Sequence, residues 1–167
     1  CRRFGKSMAA EMLCAYYDKS CDSRELFRGL EIENNPDFET HLNKYPVIYV
    51  ELTNFITDYG HDNKIVDYLQ ADVIKSVVKA YPDVELSNPH RLMDVLIDIA
   101  AATGERFIFI IDEWDAICRE FERGEKAMEE YVLLLRRMFK SSDALGVFAG
   151  VYMTGILPIK KYKTESA

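Results

Sequence analysis

Apolar positions recur along the chain at two alternating spacings, one helical and one strand-like. Met8, Met12 and Tyr16 fall at i, i+4 and i+8, with Ala9 and Leu13 beside them, and predict a helix over residues 6–18. A polar stretch over 18–23 ends it. Residues 25–30 read as a short turn anchored by Leu26, Phe27 and Leu30, and 37–44 as another short helix. Tyr45-Pro46 breaks that helix ahead of residues 47–53, a β-branched and aromatic run suited to a buried strand. Ile65, Leu69, Val73 and Val77 mark one face of a helix over 63–81. Asn88-Pro89 reads as a capping residue followed by proline at the first helical position. The helix it opens carries Leu92, Val95, Leu96, Ile99 and Ala100 and stops at Gly104. Residues 106–111 are almost uniformly apolar and make a second strand. A helix over 125–141 buries Met128, Tyr131, Val132, Leu135, Met138 and Phe139, and a third strand spans 147–154, closed by Gly155 and Pro158.

Strands that alternate with long helices, apolar on both faces and without hairpin signals between them, specify an α/β fold with a parallel sheet covered on two sides. The 167 residues, 49% of them hydrophobic, suffice for one domain with its own core. There is no internal repeat and no low-complexity segment. No apolar run, the strand-sized 107–111 included, approaches the ~20 residues that span a bilayer. A net charge of −7 argues against a broad electrostatic grip on nucleic acid. Cys1, Cys14, Cys21 and Cys118 form no C-x-x-C pair, and His41, His61 and His90 are scattered, so no metal-ligand spacing appears. Reduced thiols suit a cytoplasmic protein. The chain starts at Cys1 rather than at methionine.

Two short motifs carry chemistry. Gly5-Lys6-Ser7 stands directly before the first predicted helix and matches the second half of the phosphate-binding pattern G-x-x-x-x-G-K-[ST]. Gly5 allows close backbone approach to a phosphate, Lys6 neutralises phosphate charge, the Ser7 hydroxyl ligates Mg2+, and the helix N-terminus offers N–H groups to an anion. By itself this tripeptide also fits the start of an ordinary surface helix. The second motif is the apolar strand that ends in Asp112-Glu113. Acids at the carboxyl end of a parallel strand lie where open α/β sheets bind ligands. There Asp112 is suited to the Mg2+ shell and Glu113 to polarising an attacking water. The competing reading is a core strand followed by a solvated acidic turn, to which Asp115 contributes. Thr154, at the tip of the third strand, is either a γ-phosphate sensor or a satisfied strand-end hydroxyl.

The two motifs in order, with one strand between them and one after, specify a P-loop NTPase core. The strand between the motifs is then the sheet edge, and the strand tipped by Thr154 lies beside the Asp112 strand. A small-molecule kinase shares Gly-Lys-Ser but is disfavoured by the Asp-Glu pair and the Thr-tipped strand. Arg136-Arg137 and Lys160-Lys161 read as solvated charge.

The chain also resembles a specific family, the AAA-ATPase-like domains of bacteria and archaea that often precede a PD-(D/E)XK nuclease-like domain. The resemblance rests on Arg2-Arg3-Phe4-Gly5-Lys6-Ser7, Leu26-Phe27-Arg28-Gly29-Leu30-Glu31-Ile32, Tyr45-Pro46-Val47-Ile48, Ile110-Ile111-Asp112-Glu113-Trp114-Asp115 and Tyr152-Met153-Thr154-Gly155-Ile156-Leu157-Pro158-Ile159. These blocks recur in order over essentially the whole chain. The family usually has proline where Cys1 stands and more often tyrosine where Trp114 stands. Its loop generally lacks the first glycine of the pattern, and Arg2 and Arg3 either supply positive charge near the phosphates instead or face acidic surface.

The resemblance implies ATP binding, hydrolysis with Mg2+, and a nuclease-like domain following in the parent protein. An oligomer is compatible with it. The nucleotide-contacting set is then Arg3, Phe4, Gly5, Lys6, Ser7, Met8 and Thr154, with Ser7 and Asp112 on the metal and Glu113 catalytic. It further implies a sheet order 5-1-4-3-2, with residues 1–167 covering part of the domain and lacking its first and last strands. The isolated chain is on that ground expected to bind nucleotide poorly. A regulatory module that binds nucleotide with little hydrolysis is the alternative.

Overall fold

The computed structural model describes residues 5–122 and 125–157. Three strands, β1 (Val47–Glu51), β2 (Phe107–Asp112) and β3 (Phe148–Met153), form one parallel sheet in the order β1-β2-β3. β2 is central and every one of its residues is buried, which is why its sequence is apolar without alternation. The strand between the two motifs is at one edge and the Thr154-tipped strand lies beside β2, as the spacing predicts.

Helices cover both faces. On one face lies α1 (Lys6–Tyr17), whose Ala10, Leu13, Cys14 and Tyr17 pack with Ile108 and Ile110. The other face holds the main core, built from Phe107, Phe109 and Ile111 against the remaining long helices. These are α4 (Ile65–Ala80), α5 (Leu92–Thr103) and α7 (Lys126–Lys140). Ile65, Leu69, Val73 and Val77 are buried on α4, and Leu92, Val95, Leu96 and Ile99 on α5. Gly104 ends α5 in the left-handed conformation, donating its N–H to Ala100 O at 2.9 Å. Arg136 and Arg137 are exposed on α7. Pro158 and Lys160-Lys161 lie outside the described residues.

Several expectations are corrected. On α1 the stripe Met8–Met12–Tyr16 is not one buried face: Met8 and Met12 are 64% and 41% exposed. Small Ala10 lets the neighbouring stripe approach β2 closely. Tyr16 instead joins Phe27, Phe38 and Leu42 in a satellite cluster with α2 (Phe38–His41), donating its hydroxyl to Phe38 O at 2.8 Å.

The first strand ends at Glu51 rather than at 53. The Glu51 carboxylate accepts from Thr53 N at 3.1 Å and from Asn54 N at 3.2 Å, capping α3 (Leu52–Tyr59). Glutamate is an uncommon cap, so the strand-like residues hid this helix. Pro89 does not open α5. Asn88 turns the chain ahead of it, accepting from His90 N at 3.4 Å and donating to Asp94 Oδ2 at 3.0 Å, and the helix begins at Leu92. Two short helices, α6 (Ala116–Glu120) and α8 (Ala144–Val147), carry too few residues for a periodic signal.

Candidate functional site

The site lies at the carboxyl ends of β2 and β3, facing the N-terminus of α1. Gly5 precedes α1 with φ 70°, a left-handed conformation that glycine adopts at no steric cost. Among the described residues no side chain caps this helix, and its first turn carries no acid, so its leading N–H groups suit an anion. Ser7 and Met8 are exposed on that turn. The Lys6 ammonium reaches across to the strand ends, donating to Gly155 O at 3.2 Å and standing 3.5 Å from Glu113 Oε1.

Alternation along β2 puts Asp112 on the α1 face with Ile108 and Ile110. Its carboxylate is fully buried. Oδ1 accepts from the Thr154 hydroxyl and from Glu113 N, the latter at 3.1 Å, whereas Oδ2 has no hydrogen-bond partner among the described residues. A buried, unpartnered carboxylate oxygen costs free energy, and such an atom marks a place for an ion or water. That fits a divalent cation. Among the described residues no group of three His, Cys, Asp or Glu is placed to hold a metal. A cation on Asp112 would take its remaining donors from a hydroxyl such as that of Ser7, from a phosphate and from water, the usual habit of Mg2+.

Glu113 has φ 53°, rare for a residue with a side chain. Its backbone is pinned on both sides: its N–H lies 3.1 Å from Thr154 Oγ1 as well as from Asp112, and its carbonyl accepts from Ala116 N at 2.8 Å. This aims its side chain at Lys6 and at Arg119 on α6, whose Nη1 and Nη2 both donate to Glu113 Oε2 at 2.9 Å. Beside the site, Tyr49 is pushed up to about 12, first by burial and then by the charges of Asp112 and Glu51. Its phenol keeps its proton at neutral pH.

Asp115 is not a solvated acid. It is fully buried, and its Oδ2 accepts from Ile156 N at 3.1 Å and Leu157 N at 2.9 Å, while Arg119 Nη1 approaches both oxygens at 3.3 Å. This carboxylate ties the turn after β3 to the turn after β2. Gly155 sits between them: a Cβ there would lie 2.5 Å from the Trp114 ring and 2.7 Å from Asp115 Oδ1. Trp114 is buried, donates its N–H to Thr154 O at 2.8 Å, and accepts on its carbonyl from the Tyr131 hydroxyl at 2.8 Å. Burial raises the Tyr131 pKa well above its ordinary value.

Lys6, Asp112, Glu113 and Thr154 thus meet in one place. Arg3 and Phe4 lie outside the described residues. Sequence reasoning missed Arg119, Asp115 and Gly155 as members of the network. The spacing of Asp115 and Arg119, i and i+4, was the available signal. Grooves of about 600 Å3 along β1 and about 740 Å3 beside α4 contain none of these residues. The convergence of charged and buried polar groups, rather than the size of an opening, therefore locates the site.

A family model described as predicted AAA-ATPase matches residues 1–164. The chain belongs to the AAA-ATPase-like family. No curated protein and no solved structure matches it. The AAA-ATPase-like match spans both motifs and the Thr154 turn. Among the described residues of this AAA-ATPase-like chain, no helix is long and apolar enough to cross a membrane.

Proposed function

We propose that the chain is the nucleotide-binding part of an Mg2+-dependent ATPase with a P-loop core. The observation that carries the proposal is the meeting of Lys6, Glu113 and Thr154 around Asp112, whose buried Oδ2 has no partner among the described residues. In this reading Lys6 exchanges its contacts with Gly155 O and Glu113 for phosphate oxygens. Gly5 and the first turn of α1, with Ser7 and Met8, cradle the phosphates, and Arg3 and Phe4 complete the loop. Ser7 and Asp112 hold Mg2+, which supplies charge neutralisation on the β- and γ-phosphates. Thr154, fixed on Asp112, senses the γ-phosphate. Glu113, released from Lys6, accepts a proton from the attacking water.

Replacing Glu113 with Gln in the complete protein is expected to keep ATP binding and lower turnover by about 10²–10⁴-fold. Equal turnover in variant and wild type removes Glu113 from the mechanism.

A second reading is favoured by one observation. Both Glu113 oxygens are engaged, Oε1 by Lys6 and Oε2 by Arg119, and a glutamate held this way is a poor base. A nucleotide-gated module with little hydrolysis has such a site. Multiple-turnover phosphate release separates the two readings. The proposal extends to a nuclease-like C-terminal domain as the element that receives the nucleotide signal and to a cytoplasmic location. The gene sequence beyond residue 167 checks the former, and cell fractionation the latter.

A further inference from the structure

The free edge of β1 borders a groove of about 600 Å3 on the side of the sheet away from β3. Which backbone groups face it follows from the pairing at its two ends. Pro46 O accepts from Ile108 N at 3.0 Å, so Pro46 points toward β2. Tyr45 points the other way: its N–H donates to Tyr17 O at 2.9 Å and its carbonyl accepts from Lys19 N at 2.9 Å. Alternation then turns the N–H and C=O groups of Val47 and Tyr49 outward into the groove. Residues 17–19 occupy the neighbouring strand position only opposite Tyr45. Beyond it, no described residue pairs with the outward groups of Val47 and Tyr49.

The groove floor is apolar, formed by Phe55 on α3 and by Leu69, Val73 and Val77 on α4. Its polar lining is strongly one-signed: Asp18, Glu51, Asp58 and Asp72 against Lys19, which is already paired with Glu105. Asp58 and Asp72 are exposed. An unpaired strand edge beside an apolar trough is the arrangement that accepts an added strand. The carboxylates fix the sign of what is added. A second copy would bring its own acids against these, which disfavours edge-to-edge pairing of two such chains.

We infer that this edge binds an extended segment of a partner protein in which one face of the strand carries apolar residues flanked by Lys or Arg. Its backbone adds a strand beside β1, and the alternate side chains that face α4 place apolar groups in the trough and cations against Asp58 and Asp72. This site is separate from the strand-end site and does not depend on ATP turnover.

The test is a fluorescence-anisotropy titration of the protein with a labelled peptide Lys-Thr-Val-Thr-Val-Thr-Lys, whose alternate positions put both valines and both lysines on one face. Saturable binding at roughly 10–100 µM is expected. The same peptide N-methylated on alternate backbone nitrogens is expected to lose binding, because N-methylation removes ladder donors without changing charge. Asp58→Lys with Asp72→Lys, both at exposed helix positions, is expected to weaken binding at least ~10-fold, with unchanged circular dichroism as the control for folding. Absence of binding up to about 1 mM overturns the inference, as does equal binding of the N-methylated peptide or indifference to the charge reversal. Sedimentation velocity on the unliganded protein supplies the remaining arm, since a dimer that the peptide dissociates assigns the edge to a second copy instead.

Discussion

Asp115 is the buried acid on which the turn after β3 hangs, and its removal tests the site's construction most cleanly. In Asp115→Ala, Ile156 N and Leu157 N lose their shared acceptor and Arg119 loses one of its two carboxylates. A donor left buried without a partner costs about 1–3 kcal/mol. Ile156 is 41% exposed and Leu157 half-buried, so water recovers part of that cost and each donor contributes near the lower end. With the small cavity and the weakened Arg119, the expected loss is about 2–4 kcal/mol. That is a large share of the roughly 5–15 kcal/mol of a typical domain. Asp115→Asn retains an oxygen where Oδ2 stands, so both N–H bonds survive, while the charge and the acceptor that Oδ1 offers Arg119 are lost, at about 1–2 kcal/mol.

Urea unfolding followed by fluorescence reads the difference. Trp114 is the single tryptophan and packs against Gly155 at this junction. The predicted order of midpoints is wild type, then Asn, then Ala. Equal midpoints for Asn and Ala, or a loss below about 1 kcal/mol for Ala, refute the claim that Asp115 fastens the turn.

Further expectations concern neighbouring features. Gly155→Ala forces a methyl group against Trp114 and Asp115, and its urea midpoint is expected to correspond to a loss of about 1–3 kcal/mol. Glu105 is held below the ordinary carboxylate range by hydrogen bonds first from Lys19 and then from Tyr81. A depressed folded pKa contributes stability above the unfolded value of about 4.3, lost as pH falls through the folded value. Glu105→Gln therefore flattens the stability curve between about pH 3 and 5 relative to wild type, by a small amount because the pair is partly solvated. Cys14 is pushed up to about 11, mainly by burial, while Cys21 is exposed. Mass spectrometry after brief alkylation near pH 8 is expected to find Cys21 modified before Cys14.

The legible parts of this fold are those set by local pattern. β2 had to be buried on both faces because residues 107–111 offer no polar face, and the acids that follow had to fall at its carboxyl end. The stripe on α4 and the stop at Gly104 are equally local. α1 was ambiguous because two stripes interleave on it, and the choice fell to Ala10, whose size matters only against Ile108 and Ile110 of β2.

Within the site, Lys6, Asp112, Glu113 and Thr154 were readable from motif order. Asp115 was not, because a carboxylate two residues past a strand reads as solvated until the turn after β3, some 40 positions away, folds onto it. Gly155 also gave no local sign. Its constraint is the Trp114 ring above it, not a left-handed backbone.

The central claim is that Lys6, Asp112, Glu113 and Thr154 form an ATP-hydrolysing site. Its most direct test is multiple-turnover phosphate release from ATP by the complete protein with Mg2+, comparing wild type with Glu113→Gln under matched nucleotide occupancy. The account predicts sustained turnover in the wild type, and ATP binding with turnover at least about 100-fold lower in the variant. Turnover that is unchanged by Glu113→Gln, or a wild type that binds Mg2+-ATP and releases no phosphate, contradicts it.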